Sequence, residues 1–210
     1  DKYFYDRGKV LSKKDLDEIE SFGRYLDIDG DGIPYRTYPG THPEKGAFFT
    51  RGSSHDEYAV YTEDGKVNAR NMKRILKKHK TASKLIPKPI IKSSNNSIGV
   101  IYFGGSDYSM IEALDILEKD GIILDSMRIR GFPFGIEVND FIINHDLIFV
   151  VEQNRDAQMK KLIIAEINVS PKKMISILCF DGMPITANFI DKEIQSYLAE
   201  KKVKELIREK

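Results

Sequence analysis

From Ile98 onward the chain alternates short apolar runs with segments of helical period. That alternation restricts the available folds more than any other feature. Ile98–Phe103 (IGVIYF) is a continuous apolar run that closes on Gly104-Gly105. Met110, Ala113, Leu114 and Leu117 then recur at the three- and four-residue spacing of one helix face. Ser109 and Glu112 fit a capping box at its start. Ile122–Ile129 is a second strand, and Val138, Phe141 and Ile142 mark the inner face of a short helix. Leu147–Val151 is a third strand, bounded by charge on both sides. Gln158–Ile167 is helical, Met174–Phe180 is a fourth strand, and Asp191–Arg208 is a closing helix. Strands separated by helices of this size specify an α/β domain with a mostly parallel sheet of four or five strands.

The residues before it read differently. Within Asp1–Leu26, the residues Leu16, Ile19, Phe22 and Tyr25 are spaced by charge as in a helix. Residues 27–57 are rich in turn formers, with a strand expected at Gly46–Thr50 (GAFFT). Ser54 followed by Asp56 and Glu57 reads as a helix start. From Asn68 a long helix is expected, with Met72, Ile75, Leu76, His79 and Ala82 at helical spacing. Lys73, Arg74, Lys77, Lys78 and Lys80 take the other positions and read as a solvated face. Pro87 and Pro89 stop this helix, and KSSNNS at 92–97 is a polar linker. The domain boundary is placed there, giving 1–92 and 93–210. No internal repeat or low-complexity tract is present.

Composition narrows the function classes. Lys and Arg number 33 against 32 Asp and Glu, so the net charge of +1 provides no drive toward nucleic acid or an anionic membrane. No apolar run approaches the ~20 residues that span a bilayer, and no basic-then-apolar signal opens the chain. A cytoplasmic location is the expectation. The single cysteine, Cys179 in ISILCF, excludes an internal disulfide. It equally excludes an iron–sulfur cluster held by this chain alone, which takes about four thiolates. An apolar strand setting makes Cys179 an inert thiol.

Several short motifs imitate known sites. Asp27-Ile-Asp29-Gly-Asp31-Gly32 begins like an EF-hand loop, but the bidentate glutamate position is Tyr38, so tight turns are the better reading. Gly30-Asp31-Gly32 also imitates the start of a thiamine-diphosphate motif. That motif needs an Asn about 25–30 residues later to complete a magnesium shell, and 57–63 holds none. Phe103-Gly104-Gly105-Ser106 sits at a strand-to-helix turn but lacks GxGxxG, and Asp125 is a loose match to the distal acid. His55 could serve acid–base or metal chemistry, yet no second His lies nearby for a zinc site. Glu152-Gln153-Asn154-Arg155-Asp156 ends the third strand of the α/β domain, where parallel strands usually carry function. It reads as a grip on a partner subunit or on the first domain. Arg36 and Arg51 stand beside Gly, Pro or Thr, off any helix face. A guanidinium fork suits a carboxylate, and the competing reading is an ion pair or a staple to a backbone carbonyl.

Two segments together carry a family resemblance: DGDGIPYRTYPGTHPEKGAFFTRGSSHDE at Asp29–Glu57 and VVEQNRDAQ at Val150–Gln158. They resemble the alpha subunit of 2-oxoacid:ferredoxin oxidoreductases, the 2-oxoglutarate type in particular, over a span from about Tyr25 to Asn188. With Asp1 as its first residue, the chain is expected to be the C-terminal portion of a longer polypeptide. The resemblance implies that residues 93–210 form a domain like the transketolase C-terminal domain. Residues 1–92 would be the tail of a pyrimidine-side thiamine-enzyme domain, without its early YPITPSS-like loop. The implied reaction (EC 1.2.7 class) takes a 2-oxo acid, coenzyme A and oxidised ferredoxin to acyl-coenzyme A, carbon dioxide and reduced ferredoxin. Thiamine diphosphate, magnesium and a [4Fe-4S] cluster are expected in the partner beta subunit, with no cofactor, metal or catalytic residue on this chain. The isolated chain is expected to be inactive. Arg36 is expected to meet the substrate carboxylate, with Thr50, Arg51 and His55 as further substrate contacts. Glu152, Gln153, Asn154 and Arg155 are expected at a subunit or domain contact. The rival readings are a non-catalytic assembly module and a flavodoxin-like nucleotide-binding domain.

Overall fold

A computed structural model describes residues 5–52 and 54–208, with side chains through Lys201. Its internal contacts divide the chain into two compact units, Asp1–Leu85 and Ile86–Lys210. In the first unit, helix α1 is Lys13–Glu18, started by a capping box in which Ser12 and Asp15 bond reciprocally. It is shorter than the expected helix. Residues 1–4 of that expectation lie outside the described residues, and Phe22 and Tyr25 lie in irregular backbone beside Ser21 and Gly23, both weak helix formers. Gly46–Thr50 forms no strand, because no neighbouring segment supplies a ladder, and Phe49 is 81% exposed.

The Ser54–Glu57 segment is not a helix start either. His55 bridges Tyr61 in antiparallel fashion, and the Asp56 carboxylate accepts from the Tyr58 and Val60 amides to close the turn between them. Helix α2 starts instead at Asp64, whose side chain caps Gly65–Ala82. Its inward side is polar. Asn71 donates to the His55 carbonyl, Arg74 to the Gly32 carbonyl and Thr81 to the Asp31 carbonyl. Met72, Ile75 and Leu76 are exposed, Leu76 by 71%. Turn-rich backbone without a ladder still needs donors for its carbonyls, and the polar side of α2 supplies them. Gly32 permits this approach: at φ +83 it accepts the left-handed region, and a Cβ there would lie 2.3 Å from the Lys78 amide nitrogen.

The second unit is a five-stranded α/β sheet. Its elements run β1 (Ile90–Lys92), β2 (Ile98–Phe103), α3 (Asp107–Lys119), β3 (Asp125–Ile129), α4 (Ile136–Asn144), β4 (Leu147–Glu152), α5 (Gln158–Ile167), β5 (Met174–Leu178) and α6 (Ala187–Arg208). Strand order is β1-β3-β2-β4-β5. The last four in this order pair in parallel, and β1 adds antiparallel to β3, Ile91 opposite Met127. This edge strand had no periodic signal, and it brings the division between units before Ile90–Lys92 instead of after it.

Alternate residues of each strand feed two cores. Val100, Tyr102, Phe149 and Val151 face α3 and α6 through Met110, Leu117, Ile190 and Ile194. Ile101, Met127, Ile148 and Val150 face α4 and α5 through Val138, Phe141, Ile142 and Ile163. Both faces of β2 and β4 are therefore buried, which is why these strands read as unbroken apolar runs. The expected capping box of α3 is absent: the helix begins at Asp107, and the Ser109 hydroxyl donates to the Ile185 carbonyl.

Candidate functional site

Strand order fixes where a ligand would enter the second unit. The chain leaves β2 for β3 on one side and returns past β2 to β4 on the other, so a crevice opens at the carboxyl ends of β2 and β4. A recess of about 400 Å³ lies there, lined by Phe103–Ser106, Gln153, Asn154, Gln158, Met159 and Leu162. Glu152 governs its chemistry. The side chain is fully buried, and its carboxylate accepts from the Met159 and Lys160 amides and from Asn154 Nδ2, at 2.8–3.0 Å. It is an internal anion at the start of α5, in the place where a bound phosphate would otherwise profit from free amides and the helix dipole. Asp107 adds a second carboxylate in the first turn of α3, paired with Arg128 at 2.6 Å. The nucleotide-binding reading of Gly104-Gly105-Ser106 thus meets a crevice in which a carboxylate of the chain already takes two amides at the start of α5.

The rest of the Glu152–Asp156 segment forms a hydrogen-bonded turn. The Asn154 side-chain oxygen Oδ1 accepts from the Asp156 and Gln158 amides, and Ala157 takes a left-handed φ of 50 to start α5. Gln153 donates to the Ser106 hydroxyl and accepts from the Ile185 amide. Arg155 is exposed and paired with Asp156. Of the four expected contact residues, Arg155 is exposed, Gln153 is exposed but bonded to Ser106 and Ile185, and Glu152 and Asn154 bond within the start of α5. Cys179 follows β5 and is buried, and burial followed by the Asp181 charge pushes its thiol upward, consistent with an inert residue.

The opposite edge of the sheet carries a site that sequence reasoning missed. Asp125 and His145 are both buried, with Nε2 of the imidazole 3.3 Å from the carboxylate and its Nδ1 2.6 Å from the Phe141 carbonyl. Asp125 accepts from the Ser93 hydroxyl, the Ser94 amide and both the backbone and side chain of Asn96. Burial alone would raise its pKa, but these donors hold it well below the usual carboxylate range. The residue that loosely matched a ribose-binding acid therefore ties the 93–96 linker to the sheet. A recess of about 360 Å³ beside it is lined by Glu137, Asp140 and Asn144, among others.

In the first unit, the four expected substrate residues are held in different ways. Arg36 Nη2 donates to the Arg7 carbonyl at 2.6 Å, and the guanidinium lies over the Tyr38 ring. Arg51 is exposed. The Thr50 hydroxyl is buried without a hydrogen-bond partner among the described residues. His55 stacks on Tyr25, ring centroids 4.0 Å apart, with Nδ1 at the Asp56 carbonyl. Arg24 and Arg74, which sequence reasoning left out of the site, both lie against the Tyr25 ring on which that imidazole stacks. In the EF-hand-like segment, Asp29 and Asp31 both pair with Lys9, at 2.6 and 2.7 Å. Their hydrogen bonds to Lys9 lower both carboxyl pKa values.

No protein-family model matches the chain. Among curated proteins, it is 28% identical over 185 residues to subunit alpha of 2-oxoacid:ferredoxin oxidoreductase 2 from Aeropyrum pernix, covering 85% of this chain and 27% of that protein. It is 24% identical over 197 residues to the 2-oxoacid:ferredoxin oxidoreductase subunit alpha of Saccharolobus solfataricus, covering 91% of this chain and 30% of that protein. The chain thus spans less than a third of the length of these relatives. A solved structure of 2-oxoglutarate:ferredoxin oxidoreductase from Magnetococcus marinus, with 2-oxoglutarate, coenzyme A and succinyl-CoA bound, matches with a TM-score of 0.74. That match covers 86% of this chain and 31% of the other at 20% identity, a likeness of fold. The resemblance read from Asp29–Glu57 and Val150–Gln158 is borne out: the chain is similar to alpha subunits of 2-oxoacid:ferredoxin oxidoreductases along most of its length.

Proposed function

We propose that the chain is part of the alpha subunit of a 2-oxoacid:ferredoxin oxidoreductase, an enzyme that makes acyl-coenzyme A and carbon dioxide from a 2-oxo acid while reducing ferredoxin. The observation that carries this reading is the extent of the similarity, 85% and 91% of the chain against two alpha subunits. The ligands named for the structural neighbour support 2-oxoglutarate and coenzyme A as the substrate pair. The residues of this chain do not fit the expected cofactors. Asp31 is committed to Lys9 and to the Ile33 amide, Asp27 accepts from the Gly32 amide, and one cysteine cannot ligate a cluster. Thiamine diphosphate, magnesium and the [4Fe-4S] cluster therefore belong to the beta subunit in this proposal.

This chain's own contribution is substrate contact and assembly. Of the two arginines expected at the substrate, Arg51, exposed and off any helix, is the better placed to meet a carboxylate, with Thr50 and His55 as polar neighbours in sequence. The Arg7 carbonyl favours a staple role for Arg36. Gln153 and Arg155 present a polar turn to a partner subunit. The test is purification of the chain's complex from native cells. A cluster-bearing partner should accompany it, and the complex should form acyl-coenzyme A from 2-oxoglutarate with ferredoxin reduction. A complex with no such partner and no such activity would leave the assembly-module reading in its place.

A further inference from the structure

We propose that Arg24 and Arg74, gathered about Tyr25 and His55, form a binding site for an oxyanion, a phosphate or carboxylate group carried by a small molecule. The guanidinium carbon of Arg24 lies 5.3 Å from the centroid of the Tyr25 ring and 5.6 Å from that of Phe48. That of Arg74 lies 5.9 Å from the same Tyr25 ring. The His55 imidazole stacks on this ring. Two guanidinium groups thus converge on one tyrosine, and like charges at such range repel.

The local carboxylates bond to other groups, although both still act on Arg74 through their charge. Asp27 accepts from the Gly32 amide, and Glu57 is held by Arg70 at 3.0 Å. Among the described residues, the Arg24 guanidinium has ring contacts but no hydrogen bond or ion pair. Arg74 uses Nη1 on the Gly32 carbonyl, while its Nε is buried without a partner. The hydroxyl of Ser54, the residue before His55, is likewise buried without a partner. Buried polar groups are nearly always paired, and an orphaned Arg74 Nε near an unpaired guanidinium implies an acceptor that the described residues do not supply. Burial lowers the Arg74 pKa, the Asp27 charge opposes that, and the Arg24 charge lowers it further. An oxyanion would accept from the Arg24 fork and from Arg74 Nε, and would relieve the repulsion between them. Phe48, partly exposed, offers an apolar wall to the uncharged part of the ligand.

This site does not rest on the oxidoreductase reading, and its test reads binding without turnover. The 210-residue chain is titrated calorimetrically with inorganic pyrophosphate and, separately, with 2-oxoglutarate, at constant ionic strength. At least one should bind with a Kd below about 1 mM. Arg24→Gln should weaken that binding at least about tenfold with the melting temperature unchanged. Arg74→Gln also removes the bond to Gly32, so Arg24→Gln is the deciding variant. Lys80→Gln, on the exposed side of α2, should bind as the wild type does. The preferred titrant tells phosphate from carboxylate. The proposal is overturned if neither anion binds with a Kd below about 1 mM, if Arg24→Gln binds as tightly as wild type, or if Lys80→Gln loses as much as Arg24→Gln.

Discussion

Asp125 is buried and charged because the donors of Ser93, Ser94 and Asn96 converge on it. Its folded pKa lies below that of an unfolded aspartate, so the stability it contributes is complete above about pH 4. That contribution is lost as the pH falls from there toward the folded value. Urea denaturation should show stability declining on acidification below about pH 4, and Asp125→Asn should flatten this limb. At pH 7 the same substitution should cost about 2–3 kcal/mol, since hydrogen bonds to a charged group are the strong ones. Glu152→Gln should cost about 2 kcal/mol, measured the same way, because the buried carboxylate serves two helix amides and Asn154. For the arginines, the expected results diverge. In the assembled enzyme, Arg51→Ala should reduce kcat/KM roughly ten- to a hundredfold with little change in melting temperature. Arg36→Ala should do the reverse, because it removes a staple to the Arg7 carbonyl. The carbonyl staple was one of the two readings open for Arg36, but the partners of Asp125 were not legible in the sequence. Asp125 meets residues some thirty positions upstream, and spacing rules carry no information at that distance.

Most elements of the second unit announced themselves by period. Gln158–Ile167 has the boundaries that its pattern implied, and Val138, Phe141 and Ile142 are the buried side of α4. Strand β1 gave no such sign: it is three residues long, exposed throughout, and follows Pro89. Helix α2 taught a different lesson. Amphipathic spacing located its apolar stripe but could not say whether anything covers that stripe, and the polar side does the holding. At this scale Gly99 is a sharp test. A Cβ there would lie 2.8 Å from the Phe141 ring and 3.0 Å from His145, both buried. Gly99→Ala should therefore destabilise the chain by about 1–3 kcal/mol, read as a lower denaturation midpoint at unchanged slope.

The two units differ in how they are sustained. The second has a core on each face of its sheet, whereas among the described residues of the first only Leu16, Pro34 and Ala59 are buried apolar side chains. The first unit is held by ion pairs and side chain–carbonyl bonds, which contribute less than burial and open locally at low cost. Hydrogen exchange should accordingly find amides of α2 far less protected than those of β2 and β4. Exposed Phe48, Phe49, Met72, Ile75 and Leu76 should drive self-association, seen by light scattering as mass rising with concentration. A monodisperse monomer at about 100 μM would contradict this.

Glu152 also bears on how such a domain could be put to other uses. Sheets of this strand order commonly offer their carboxyl edge to a guest. Here the guest is tethered: a carboxylate that never dissociates, supplied by the strand itself. A protein with a tethered occupant is a closed receptor, and shortening the tether should reopen it. In a Glu152→Ala chain, millimolar acetate added from solution would then act as the missing side chain and recover lost stability by mass action.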